Sequence, residues 1–164
     1  MVNAFKLWLL AAFFSTMVFG AAMAQSPAIV WQACQTLTSA EYTSSVCHTP
    51  GGYLVMRSGR YVAYGSTGVT DIFVSKFDTA GTLLWTNDYG GSSKDFGVKI
   101  VCVHPDLYYV AGHTKSSNGD VQSGNKGEYD LWVFAIDSTG TLLWEKTYGS
   151  PSYDFFADLV AMPD

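Results

Sequence analysis

From residue 98 onward the hydrophobic positions fall into short runs broken by turn-forming residues. Val98–Val103 is a β-branched run closed by His104-Pro105-Asp106, and Leu107–Gly112 follows as a second run. A stretch rich in Gly, Ser and Asn separates these from two further runs, Leu131–Ile136 and Thr141–Tyr148. Asp137-Ser-Thr-Gly140 joins the last pair, with Asp at the first turn position and Gly where φ > 0 is required, as in a type I turn carrying a bulge. The pattern predicts four short antiparallel strands.

Both faces of these strands are apolar. In Leu131-Trp-Val-Phe-Ala-Ile136 one alternating set is Trp132, Phe134 and Ile136, the other Leu131, Val133 and Ala135. An antiparallel sheet with one wet face alternates apolar with polar, so a sheet apolar on both faces has to be covered on both. Four-stranded antiparallel units that sandwich one another meet that requirement in a β-propeller.

The unit recurs. Asp71-Ile-Phe-Val-Ser-Lys-Phe-Asp-Thr-Ala-Gly-Thr-Leu-Leu-Trp85 returns as Asp130-Leu-Trp-Val-Phe-Ala-Ile-Asp-Ser-Thr-Gly-Thr-Leu-Leu-Trp144, an offset of 59 that also carries Tyr89-Gly90 and Asp95-Phe96 to Tyr148-Gly149 and Asp154-Phe155. A fainter copy begins at Ile29-Val30-Trp31. The expected architecture is an all-β, propeller-type array: a lone strand at about 28–35, a blade at about 43–90, a blade at about 97–149, and the opening of another over 154–164. In the first blade Tyr61–Ser66 is expected as the second strand, with Met56–Arg60 as extra residues. Trp31, Trp85 and Trp144 are expected to pack between blades. Two blades close no ring, so the array calls for further blades from a longer chain or for homo-oligomerisation.

Residues 1–24 stand apart. Lys6 precedes a nearly unbroken apolar stretch, Leu7–Phe19, and Ala22-Met-Ala24 provides a cleavage site before Gln25, the form of a secretory signal peptide. A retained anchor is the competing reading, since Leu7–Ala24 approaches the ~20 residues of a membrane span; Ser15, Thr16, Gly20 and the cleavage motif favour removal. No membrane insertion is expected after cleavage. Without Lys6, 8 basic residues face 14 acidic ones, a net charge of −6 that argues against a nucleic-acid partner. Export permits disulfides. Cys34 and Cys47 are close enough in sequence to staple the N-terminal segment and leave Cys102 buried and free; three unpaired thiols is the competing reading.

The motif Asp-x-Phe/Trp-Val-x-x-Phe/Ile-Asp-x-x-Gly-Thr-Leu-Leu-Trp followed by Tyr-Gly and Asp-Phe resembles the repeat of secreted bacterial β-propeller proteins. Ser117-Asn-Gly-Asp-Val-Gln-Ser-Gly-Asn125 and Thr49-Pro-Gly-Gly-Tyr-Leu-Val55 are similar to other stretches of those repeats. The resemblance spans Trp31–Asp164 and implies a propeller at the cell surface, or in the periplasm or outer surface of a Gram-negative bacterium, in proteins mostly without assigned chemistry. The residues at Met56–Arg60 depart from the pattern, and no C-terminal sorting domain follows it, which suggests a fragment of a longer chain.

Candidate chemistry is sparse. Asp78 with Asp137, and Asp95 with Asp154, are carboxylate pairs of the kind glycosidases use, but each pair occupies equivalent repeat positions and serves the same turn twice. Arg57 and Arg60 are the only arginines, too few for a sialidase-like site. The Gly-x-x-x-Trp ending is similar to quinone-dependent dehydrogenase propellers, though the turn is one residue shorter. His48, His104 and His113 lack partners at metal or triad spacing. The segment Lys115–Tyr129, aligned through Gly65 and Gly112, reads as a 12-residue insertion. Its Asn118, Asp120, Asn125 and Glu128, with Asp130, offer oxygens of the kind Ca2+ takes, against the alternative of a loop capped by its own Asx turns.

The functional expectation is a non-enzymatic binding or interaction scaffold, secreted or at the cell surface, that recognises protein or carbohydrate through connecting loops. The alternative is a piece of a propeller enzyme, a hydrolase or quinone-dependent dehydrogenase, whose catalytic residues lie outside this chain.

Overall fold

The computed structural model describes residues 41–61 and 69–162. The expected signal peptide, the expected strand at about 28–35, Trp31, Cys34 and most of Tyr61–Ser66 lie outside them. Eight strands follow in order: β1 (Glu41–Thr49), β2 (Gly52–Tyr61), β3 (Val69–Phe77), β4 (Leu83–Tyr89), β5 (Asp95–His104), β6 (Leu107–Thr114), β7 (Asp130–Asp137) and β8 (Leu142–Tyr148). They form two four-stranded antiparallel sheets, β1-β2-β3-β4 and β5-β6-β7-β8, each a meander in chain order. No helix occurs among the described residues.

Double-sided apolar strands produce the core as expected. Leu54, Met56, Ile72, Val74 and Tyr89 of the first sheet join Ile100, Tyr108, Val110, Trp132, Phe134 and Ile136 of the second in one buried cluster. Trp132, Phe134 and Ile136 are the alternate residues of β7 and fill the space between sheets, while Leu131 and Val133 on its other face are only half-buried. The sheets approach closely at Gly97, where a Cβ would meet the Met56 sulfur and Ile72; its amide donates to the Ser58 hydroxyl at 2.9 Å.

The two turns Asp78–Thr82 and Asp137–Thr141 are the same object. In each the Asp carboxylate accepts the amides two and four residues on, at 2.8–2.9 Å, and the Gly sits at φ 84°. A register shift in β3–β4 and in β7–β8 supplies the expected bulge. The second turn is gripped by the first sheet. Trp85 donates its indole N–H to the Ser138 carbonyl at 3.2 Å, and Asn87 and Tyr89 donate to the Gly140 carbonyl at 3.0 and 2.5 Å. A side chain on Gly140 would run into Asn87 and Trp85, so this glycine is needed both for its φ and for the contact.

Three sequence expectations are corrected. The second strand of the first sheet is Gly52–Tyr61 rather than Tyr61–Ser66, so Met56–Arg60 are ladder residues and not an insertion. Leu54, Met56 and Ser58 alternate inward there, a period the alignment through Gly65 obscured. Consequently Gly112, which pairs with Trp132, stands where Arg57 pairs with Phe73 in the first sheet. The offset is thus 55 for β2 and β6 against 59 for β3 and β7, so by strand register the insertion between β6 and β7 is four residues, not 12. Finally, residues 153–162 form no strand. The edge strands β1, β4, β5 and β8 each pair on one side only, and this segment joins none of their ladders.

Repeated carboxylates organise the connections that follow β4 and β8. Asp95 is fully buried and accepts the Gly91 amide at 2.8 Å, the Ser116 hydroxyl at 2.7 Å and the Thr114 hydroxyl. Asp154 accepts the Ser150 amide at 2.7 Å in the same turn one unit later. Each is matched to a second carboxylate across a glycine. A Cβ at Gly90 would touch both Asp71 and Asp95, and one at Gly149 both Asp130 and Asp154. Burial, then the nearby charges of Asp95, Asp88 and Asp120, push the Asp71 carboxyl up to about 7. Burial also raises Asp95, against the hydrogen bonds it accepts.

Two outcomes follow for stability. Phe134→Ala removes a ring packed between Tyr89 (5.0 Å) and Trp132 (4.4 Å), and is expected to cost about 3–5 kcal/mol, read from the urea midpoint at constant m. Asp71 binds its proton more tightly folded than unfolded, so its stabilising contribution is complete below pH ~4 and is lost as pH rises through about 7. The thermal midpoint of Asp71→Asn should therefore gain on the wild type between pH 4 and 8, Asp95 leaving a residual slope in both. An equal offset at the two pH values would dissociate Asp71 from that dependence.

Candidate functional site

The long connection between β6 and β7 is built by its own polar side chains. Asn118 accepts the Ser92 amide at 2.8 Å, and Asp120 accepts the Gly90 amide at 3.1 Å while its own amide donates to the Gly90 carbonyl at 2.9 Å. Asn125 donates to the Thr114 carbonyl at 2.9 Å and accepts the Gly127 amide at 2.9 Å. Asp130 accepts the Lys126 amide at 2.7 Å. Glu128 pairs with Lys115 at 2.5 Å, which lowers the carboxyl and raises the ammonium from their ordinary values. Each of the five oxygen-bearing side chains thus has a partner within the protein. Among the described residues no three His, Cys, Asp or Glu side chains gather as a metal site. Fully buried Val121 anchors the loop in the core, and Ser123 clips it to Glu145 and Thr147.

On the outer side of this loop lies an aromatic patch that sequence reasoning did not assemble. Tyr129 stacks on Phe155 with centroids 6.2 Å apart, and Tyr153 stacks on Phe155 at 5.9 Å and 19°. His113, from the end of β6, stands edge-on to both Tyr129 (5.7 Å) and Phe155 (5.5 Å), and burial lowers its pKa toward the neutral form. Lys115 reaches over the Tyr129 ring at 5.7 Å. Tyr153 and Phe155 remain 58% and 63% exposed. The Asp154 amide donates to the Tyr129 carbonyl at 2.7 Å, fixing the segment that carries both rings to the loop. A signal was present in the Tyr153-Asp-Phe-Phe156 run, but its neighbours are more than 20 residues away in the chain.

The remaining sequence candidates are dispersed. Trp85 lies between the sheets, as its place in the repeat suggested. Trp144 occupies the matching position in the second sheet but is 43% exposed, edge-on to Tyr109 at 5.5 Å. His48 packs on Tyr53 at 5.3 Å, a hairpin contact. Asp78 and Asp137 cap separate turns, one per sheet. Cys47 has Cys102 beside it, and burial first, then that neighbour, pushes its thiol up to about 11. The arrangement brings no nucleophile, base and orienting group together among the described residues. It offers instead a pre-organised loop and a set of exposed rings.

No family model matches the chain. Over 100 residues, 58% of the chain, it is 30% identical to the regulatory protein FlaEY of Caulobacter vibrioides. The chain spans about a tenth of that protein's length, the match covering 10% of it.

Proposed function

We propose that the chain is a secreted or surface-exposed segment of β-propeller type that serves as a non-enzymatic binding scaffold, taking a carbohydrate or protein ligand on the Tyr129–Tyr153–Phe155 patch. The observation that carries this reading is the patch itself. Tyr153 and Phe155, both exposed, sit on the segment after β8 and stack with the half-buried Tyr129 at the end of the β6–β7 loop, which its own hydrogen bonds hold in place, so little order has to be imposed on binding. Aromatic faces suit the apolar faces of sugar rings and the side chains of peptides alike. The Lys115–Glu128 pair supplies a polar rim. No cofactor enters this reading: backbone amides and the Lys115 ammonium engage oxygens of the five oxygen-bearing side chains, and one buried Asp130 oxygen is left without a hydrogen-bond partner.

The propeller-type reading draws on the equivalence of faces. Trp85 and Tyr89 hold the turn of the following sheet, and Trp144 and Tyr148 occupy the same register one unit later, 43% and 55% exposed. That open face suits the turn of a further unit, whether from a longer chain or from another copy. The match to a short stretch of a much longer bacterial protein accords with units of this kind in larger chains. The N-terminal Leu7–Ala24 segment supports export.

The test is selection of ligands from a glycan array and a random peptide display library, followed by calorimetry against wild type and a Tyr153→Ser, Phe155→Ser double variant. Both rings are exposed, so the variant should fold as the wild type does. An at least tenfold weaker Kd in the variant is expected. Ligands indifferent to the double substitution would move the site elsewhere on the molecule. A protein that selects nothing from either collection would remove the scaffold reading of this patch.

A further inference from the structure

Two cysteines far apart in sequence are neighbours in the fold. Cys47 lies on β1 and Cys102 on β5, and these two strands run against each other where the sheets meet. Both side chains are half-buried and pack on the shared core. Cys102 is near enough that, after burial, it is the next cause raising the Cys47 thiol. Each also points to a carbonyl at the end of its own strand, Cys47 to His48 at 3.6 Å and Cys102 to His104 at 3.4 Å. In the structure both are free thiols.

We propose that Cys47 and Cys102 form a disulfide in the exported protein, tying the first strand of one sheet to the first strand of the next. The inference rests on the reading of the chain as exported, because an oxidising compartment is what makes the bond persist. The oxidant is a small-molecule or protein disulfide. A thiolate of one cysteine attacks it and releases one thiol, giving a mixed disulfide. The second thiolate then attacks the protein sulfur of that mixed disulfide and releases the other thiol. The balance is two protein thiols and one disulfide in, one protein disulfide and two thiols out.

Placement explains why this pair is favoured over a local one. A bond between Cys47 and Cys102 encloses β2, β3 and β4, so it constrains the whole first sheet in the unfolded chain, whereas a bond from Cys34 to Cys47 would close only a short N-terminal loop. Burial holds the Cys47 thiol protonated, and closure should accelerate as pH rises toward that thiol's range. The bond also fits the repeat. β4 grips the β7–β8 turn at one edge of the first sheet, while β1, at the opposite edge, meets β5, where the bond would lie.

The experiment is done in two settings so that pairing and export are judged separately. Purified full-length protein is first oxidised with oxidised glutathione, then digested with trypsin and a glutamate-specific protease. Cleavage at Glu41 separates Cys34 from Cys47, so the expected product is residues 42–57 linked to residues 100–115. The bond should survive Cys34→Ser and vanish in Cys102→Ser. Reduction of Cys34→Ser should lower the thermal midpoint by roughly 10 °C. A bond from Cys34 to either partner, or three thiols open to alkylation after oxidation, would overturn the pairing; the wild-type peptide map decides this even if a serine variant fails to fold. Protein recovered from its native compartment should carry the same bond. The pair oxidising in vitro but reduced in that material would leave the geometry standing and overturn the disulfide as a property of the exported protein.

Discussion

The grip of one sheet on the next sheet's turn sets the terms for the rest of the structure. Trp85, Asn87 and Tyr89 project from β4 at alternate positions and end on two backbone carbonyls, those of Ser138 and Gly140. A buried carbonyl at a turn needs a donor, and three donors on one strand face supply it. The geometry works only if the turn presents its carbonyls outward at a fixed height. The capping carboxylate of Asp137 and the left-handed Gly140 achieve that. The repeated Asp-x-x-Gly-Thr-Leu-Leu-Trp motif therefore encodes both halves of one contact. Its turn is what is held, and its tryptophan is what holds the next.

The acidic pairs are a second constraint with an opposite sign. Asp95 is buried to anchor the β4–β5 connection and the start of the β6–β7 loop, through Gly91, Thr114 and Ser116. Only glycine fits at position 90, because Asp71 and Asp95 close in on it from both sides. Burial first, and then the nearness of Asp95, penalise ionisation of Asp71 and push its carboxyl up to about 7. The same turn geometry recurs at Asp130, Gly149 and Asp154. The repeated glycine and aspartate of the Tyr-Gly and Asp-Phe echoes thus build the same turn in each unit.

Much of the fold was legible because the repeat is strong where side chains meet across sheets. β5 to β8, the bulged turns and the double-sided apolar strands all follow from periodicity and turn chemistry. The first sheet was harder. Gly65 seemed to match Gly112, but glycine at position 112 is required by the nearby Phe96 carbonyl, a constraint that Arg57 in the first sheet does not share. Alignment by residue type failed there, and only ladder register places β2. The candidate site was less legible still. The oxygen-rich loop looked like a cation site because composition shows oxygens and not the amides they accept. The aromatic patch and the cysteine pair were invisible for a different reason: each joins residues far apart in the chain, the rings through the hydrogen bond from the Asp154 amide to Tyr129 and the cysteines through the packing of β1 against β5.

The division of labour between sheets and loops bears on where function can reside. Positions that face another sheet are tied to the repeat, since a change at Trp85 or Gly140 alters a contact on two elements at once. The β6–β7 loop is freed from that tie because its polar groups close on themselves and on the neighbouring connection. By strand register it carries four extra residues relative to its counterpart, and those residues are available to vary without disturbing the sheets. His113 shows the boundary between the two regimes: it is the last but one residue of β6, in the ladder with Leu131, yet its ring backs the half-buried Tyr129 and the exposed Phe155. A ligand on those rings would rest on a strand end that the core already holds, so recognition can change in the loop while the support beneath it stays fixed.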